Sequence, residues 1–386
     1  MMRILCVYAT RQIDSNLFMS STVFNGLMQA GYHVDMAFWG YPSVCKVFEQ
    51  RYSKYFNNVY YQEVYESWIK QQMSKGDRTS VLYSFYRSFL ADFIKRPYRM
   101  SGYAECLDNN YDVVLSFIPP AVSGYLAHDI HKKICKSAKL IQFWTDPLSL
   151  GRCNSISDIP ATRKLHILIE KQLLSYADKV VFCYPLLCEK EQELHPQYAD
   201  KMTWSDVGYT EHLGEESCLR NNSKISIGLF GSYHSKVRNI LPYIEAIRAF
   251  PDVSFIIRGD SDLTIESSGL DNLDIAYGRR PISEIERQEA GCDILVCLGG
   301  SSGITHPAGK VFYYANYDKP IVYIGDGFHN EYFMNYLKGF GRYIVCNNTV
   351  EEIKLGIQSA IESLSGFKLH IPERLEPKVI AQKIVE

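Results

Sequence analysis

Residues Ile225 to Arg238 read ISIGLFGSYHSKVR, and the order of residue types in this stretch decides the fold. An apolar run of strand length stops at Phe230, a glycine and a serine follow, and Lys236 and Arg238 lead into a helical pattern. A strand that turns through glycine into a helix is the repeating unit of a parallel α/β sheet. Working outward in the C-terminal direction, the same alternation predicts strands at Ser254 to Arg258, Leu273 to Tyr277, Ile294 to Leu298, Ile321 to Ile324 and Tyr343 to Val345. A helix over Val350 to Leu364 follows them, and a short one near Pro377 to Val385 ends the chain. In the N-terminal direction a polar, acidic segment, Thr210 to Ser223, interrupts the rhythm. Before it, strands are expected at Arg3 to Ala9, His33 to Phe38, Asp112 to Phe117, Leu140 to Phe143 and Lys179 to Cys183. Helices fall at Ser21 to Gly31 and Thr162 to Ala177.

The expectation is therefore an α/β protein of two Rossmann-like, doubly wound domains facing a cleft. Residues 1–208 form the first, 209–223 a linker, 224–370 the second, and 371–386 a C-terminal helix. The length of 386 residues agrees, because a single core rarely grows so large. With 46% hydrophobic and 22% charged residues the chain is globular, neither disordered nor collagenous. A formal charge of -2 supplies no global positive field, which disfavours a general nucleic-acid binder. Eleven cysteines, an odd number with several inside apolar runs, suit a reducing compartment. The N-terminal apolar run is too short for a signal peptide and no stretch is long enough to cross a bilayer, so a cytoplasmic location is expected.

In open α/β sheets ligands bind beyond the carboxyl ends of the strands. The loop Gly231 to Arg238 offers a glycine for close backbone approach, Ser232, and the cations Lys236 and Arg238. Either it holds a diphosphate or it is a solvated basic loop. It is not G-x-G-x-x-G, and no acidic residue is placed for a ribose, so a nicotinamide cofactor is disfavoured. Gly299 to Lys310, GGSSGITHPAGK, precedes another helix, with Ser302 and Gly303 in the turn and Lys310 in the first helical turn. It reads as a second anion-binding turn or as tight strand-to-helix packing. In the first domain, Thr145-Asp146-Pro147 closes a strand, so Asp146 could orient a substrate hydroxyl or cap the next turn. Arg11, after the first strand, could meet an acceptor phosphate.

The run Lys310 to Val322, KVFYYANYDKPIV, resembles the "P-S-K-hydrophobic-aromatic-E-Y-x-x-x-G-K-P" segment of family 4 glycosyltransferases, which have the GT-B fold. Gly231-Ser232, the Gly278 to Pro281 turn and Gly291 to Val296 resemble further landmarks of that family in the family's order. So do DVVLSFIPP at 112 to 120, LIQFWTDP at 140 to 147, and Glu170 followed by Ala177-Asp178. The resemblance implies a glycosyltransferase that takes a nucleotide diphosphate sugar as donor and transfers with retention, with no cofactor and no metal. Lys310 with Lys236 or Arg238 would neutralise the leaving diphosphate. Backbone N–H groups around Gly231, Ser302 and Gly303 would assist, and Tyr277 to Arg280 would lie against the base. Asp146 would act on the acceptor or the sugar. The family's glutamate pair falls here at Tyr313 and Thr305, so both acids are absent; a tyrosine hydroxyl can hydrogen-bond a ribose but brings no charge.

Residues 41–102 depart from the strand-helix rhythm. They hold ten Lys or Arg against five acidic residues, and fifteen aromatics. This composition suits either peripheral contact with an anionic membrane or helices packed on the domain. The acceptor is accordingly expected to be a lipid-linked glycan, as in surface polysaccharide synthesis. Two other functions fit the same reading: a nucleotide-sugar epimerase, for which Asp146 and His306 are the available acid/base groups, and a non-catalytic glycosyltransferase-like subunit.

Overall fold

The computed structural model describes residues 1–11, 15–64, 98–150, 160–208, 224–235, 238–265, 269–278, 280–301, 307–326, 331–366 and 373–386. Two compact units emerge: Met1–Thr210 together with Glu373–Glu386, and Glu211–Pro372.

The first unit is built on seven parallel strands. They are β1 (Arg3–Thr10), β2 (His33–Gly40), β3 (Asn58–Glu63), β4 (Val113–Ile118), β5 (Lys139–Trp144), β6 (Lys179–Phe182) and β7 (Met202–Trp204), and their spatial order is β3-β2-β1-β4-β5-β6-β7. Helices α1 (Ser15–Gln29), α2 (Pro42–Tyr52), α3 (Met100–Ala104), α4 (Ala121–Lys133), α5 (Pro160–Tyr176) and α6 (Pro185–Leu194) connect them. The central strands are covered on both faces, which is why β1, β2, β4 and β5 read as almost unbroken buried runs.

Part of the segment 41–102 corrects the expectation that the whole of it departs from the strand-helix rhythm as a basic, aromatic insertion. Pro42 to Glu63 supplies α2 and the edge strand β3, so this stretch continues the doubly wound pattern. Three of its six aromatics are core: Phe48, Tyr52 and Tyr55 are buried, and Phe38 and Phe48 lie with ring centroids 4.1 Å apart. These side chains do not face a membrane. Residues 65 to 97, with most of the remaining basic and aromatic groups, lie outside the described residues.

The C-terminal helix α12 (Pro377–Val385) belongs to the first unit and packs on α1. Its last carbonyls are met by two lysines: Lys179 Nζ donates to Lys383 O at 3.0 Å and Lys139 Nζ to Glu386 O at 3.2 Å. Gly26 makes the contact possible, because a Cβ there would stand 2.0 Å from the carbonyl oxygen of Pro377. Gly26→Ala is expected to cost about 1–3 kcal/mol by overpacking and to open the C-terminus to carboxypeptidase. Urea denaturation and limited proteolysis check this.

The second unit carries six parallel strands: β8 (Ser226–Phe230), β9 (Ser254–Gly259), β10 (Leu273–Tyr277), β11 (Ile294–Ser301), β12 (Ile321–Asp326) and β13 (Tyr343–Asn347). The order is β10-β9-β8-β11-β12-β13. Its helices are α7 (Leu241–Ile247), α8 (Ile282–Gly291), α9 (Gly309–Tyr314), α10 (Glu331–Gly339) and α11 (Val350–Ser363). Successive strands run outward from β8 on one side and from β11 on the other. The β8/β11 boundary is therefore the topological switch point, where the loops after both strands leave the same part of the carboxyl edge. Among the described residues no helix is long and apolar enough to cross a membrane.

Candidate functional site

The loops after β8 and after β11 are the two that the sequence marked as anion-binding, and the switch point places their origins side by side. Gly231 has a φ of 125°, a value that a side chain resists. Gly259 on the neighbouring strand lets the two backbones meet, since a Cβ there would lie 1.8 Å from Gly231 O.

Three of the loop's amides are already engaged, Gly231's own among them. Gly231 N donates to Arg258 O at 2.9 Å and Tyr233 N to Asp260 O at 3.0 Å. Ser235 donates to Asp262 through both its amide and its hydroxyl, each at 2.8 Å, and these bonds hold the Asp262 carboxyl below the usual range. Gly231 shapes the turn rather than presenting its own N–H, and Ser232 beside it is exposed. Helix dipoles contribute little, because α7 has seven residues and starts only at Leu241, after Arg238, and α9 has six. Gly299 to Ser301 also belong to β11 rather than to the turn, and Gly299 serves packing: a Cβ there would stand 2.4 Å from the Tyr323 hydroxyl.

Charge at this edge comes from side chains. Lys310, at the start of α9, pairs with the buried Glu289 of α8 and lies 5.1 Å and 4.8 Å from the ring centroids of Tyr313 and Tyr314. About a third of its side chain stays accessible, at 34%, against 1% for Glu289. A Cβ on Gly231 would be 4.0 Å from Lys310 Cε, so the turn runs alongside the lysine.

Arg238 is the second cation. Among the described residues it is the only non-glycine residue with positive φ, at 146°, and its buried Nε has no hydrogen-bond partner. Both cations act on Cys297 of β11: burial pushes its thiol up to about 12, and the fields of Arg238 and Lys310 pull it the other way. A strained arginine with an orphaned donor, acting on the same strand as a lysine that is one-third accessible, is an arrangement that an anion would complete.

Glu289 escaped the sequence reading. It accepts from Tyr314 Oη at 3.1 Å and Tyr317 Oη at 3.3 Å as well as from Lys310. The available signal was an acid on the stripe Ile282, Ile285, Glu289 of α8, at a position where an apolar residue is expected. Tyr313, where the resemblance puts a glutamate, has its hydroxyl 3.2 Å from that of Tyr317, and burial with Glu289 nearby drives its pKa far upward. An acid does occupy this neighbourhood, supplied by α8 instead of by position 313.

Arg280 is not gathered in. It follows the edge strand β10 and pairs with Glu284 at 2.6 Å. Lys236, Ser302, Gly303, Thr305 and His306 lie outside the described residues. In the first unit, Asp146 stands half-buried at the carboxyl edge of β5, just after Thr145, whose amide and hydroxyl both bond to Ile118 O at 2.7 Å and 3.3 Å. Arg11 follows β1 and lies over Trp39, its Cζ 5.3 Å from the ring centroid.

No protein-family profile and no curated protein matches the chain in sequence. Solved structures do match along its whole length. The glycotransferase of kitacinnamycin aligns over 99% of this chain and 96% of its own, with a TM-score of 0.50 and 13% identity. A UDP-N-acetylglucosamine 2-epimerase aligns over 100% and 94%, also with a TM-score of 0.50, at 12% identity. The chain has the GT-B fold. At such identities the likeness reaches the fold alone. It is shared by a transferase and an epimerase, so chemistry has to be argued from the residues.

Proposed function

We propose that this GT-B protein is a glycosyltransferase, in which Arg238 and Lys310 bind the diphosphate of a nucleotide sugar and the sugar passes to a hydroxyl of a glycan acceptor. One observation carries the reading: Arg238, in the loop that leaves the switch point of the second sheet, has positive φ and a buried Nε without a partner among the described residues, and its field and that of Lys310 both reach Cys297 of β11.

As the bond between the anomeric carbon and the diphosphate oxygen breaks, negative charge grows on the leaving diphosphate. Positive groups already fixed there lower the barrier more than they tighten ground-state binding. Glu289 holds Lys310 in place, so little reorganisation accompanies the reaction. Tyr313 offers a neutral hydroxyl to the ribose where family 4 enzymes use a carboxylate. Asp146 would orient the acceptor hydroxyl, and Arg11 would meet a phosphate of a lipid-linked acceptor. The resemblance to family 4 supports transfer with retention, and the cations that neutralise the diphosphate are side chains.

The test is a panel of nucleotide sugars, with and without glycan acceptors, followed by release of nucleoside diphosphate. Release that depends on acceptor is the expected result. Complete silence together with no nucleotide binding by calorimetry would overturn the reading. Acceptor-independent conversion of the donor into its epimer would replace it with an epimerase.

A further inference from the structure

The first unit contains a group of ionisable side chains that the donor site does not use. Glu170 projects from α5, Glu191 from α6, and His195 caps the end of α6; their relative exposures are 0%, 0% and 1%. His195 Nε2 lies 3.5 Å from Glu170 Oε2 and 3.8 Å from Glu191 Oε2, and one ligand atom from each residue falls within 4.8 Å of the others.

The two carboxylates differ in how they are satisfied. Glu170 Oε1 accepts from the amides of Leu148 and Ser149 at 2.7 Å each, and Oε2 accepts from the Ser149 hydroxyl. Among the described residues neither oxygen of Glu191 has a hydrogen-bond partner, although the side chain is fully buried and one of its oxygens points at His195. No Lys or Arg among the described residues pairs with either acid. Two carboxylates removed from water and set side by side repel, and each loses solvation. A single imidazolium offsets at most one of them.

We propose that Glu170, Glu191 and His195 form a buried site for a divalent ion of the zinc class. One imidazole nitrogen, one oxygen of Glu170 and one oxygen of Glu191 make three donors, and a water would complete a four-coordinate ion. With metal-ligand bonds of about 2.0–2.2 Å, tetrahedral donors stand roughly 3.3–3.6 Å apart, close to the two His195 separations. The amides and hydroxyl on Glu170 are the outer hydrogen bonds that orient a ligating carboxylate. A bound ion would join α5, the end of α6 and the Leu148-Ser149 backbone. It would thereby brace the loop that begins at Asp146, without taking part in the donor chemistry.

The intact protein should be stripped with a chelator, dialysed, and titrated with zinc by calorimetry and thermal melting. Expected are about one zinc per chain and a melting point higher by roughly 5–10 °C at zinc about a hundredfold above its dissociation constant. Cobalt in place of zinc should give the visible absorption of a four-coordinate site. Glu191→Gln should lose at least about tenfold in zinc affinity. No stoichiometric binding and no zinc-dependent melting shift in the wild-type chain would overturn the site, whatever the variant does. So would melting that moves with pH alone, which is the behaviour of a carboxyl pair sharing a proton.

Discussion

Arg238→Gly is expected to make the protein more stable and far less active. A non-glycine residue held at a φ of 146° carries a backbone cost of order 1–3 kcal/mol. Glycine removes that cost but gives back roughly 0.5–1 kcal/mol through its freer unfolded chain, leaving a net gain of about 1 kcal/mol. The melting point should rise by roughly 2–4 °C per kcal/mol for a unit of this size. Turnover of the donor should fall on the order of 10²–10³-fold, the usual consequence of removing one preorganised donor from developing negative charge. Opposite signs in the two measurements are the signature of a residue kept under strain for its chemistry. Arg238→Lys keeps the charge but not the planar fork, so its activity should fall between the two. Wild-type turnover in Arg238→Gly would remove the arginine from the site.

The second large effect concerns the pair beneath it. Lys310→Ala leaves the Glu289 carboxylate buried with only the hydroxyls of Tyr314 and Tyr317, a loss of about 3 kcal/mol, at the low end for a broken buried pair because Lys310 is one-third accessible. Its urea midpoint should drop and its turnover should fall by about 10² or more. Adding Glu289→Gln keeps an acceptor for the two tyrosines and removes the unpaired charge. The double variant should recover most of the stability and none of the turnover. If stability and turnover returned together, Lys310 would be a structural cation only.

The architecture was legible because parallel strands buried on both faces leave continuous apolar runs, as in Arg3–Thr10 and Val113–Ile118. Where burial is partial the signal faded: β3, NVYYQE, is an edge strand with exposed ends amid basic and aromatic residues, and β7 has three residues. Lys310 and Arg238 could be picked out as cations after strands. Their surroundings could not. Residue order does not announce the positive φ of Arg238, three amides of the loop before it are spent on Arg258, Asp260 and Asp262, and Glu289 reaches Lys310 across 21 residues. The docking of α12 on α1 was equally hidden, since it depends on the missing side chain of Gly26 facing Pro377, far along the chain.

A diffraction structure with a nucleoside diphosphate bound tests the central claim most directly. The account predicts phosphate oxygens within hydrogen-bonding distance of the Arg238 guanidinium and Lys310 Nζ, over the turn at Gly231, with the ribose towards Tyr313. A nucleotide bound away from the β8/β11 edge, or phosphates that leave Arg238 Nε without a partner, would contradict it.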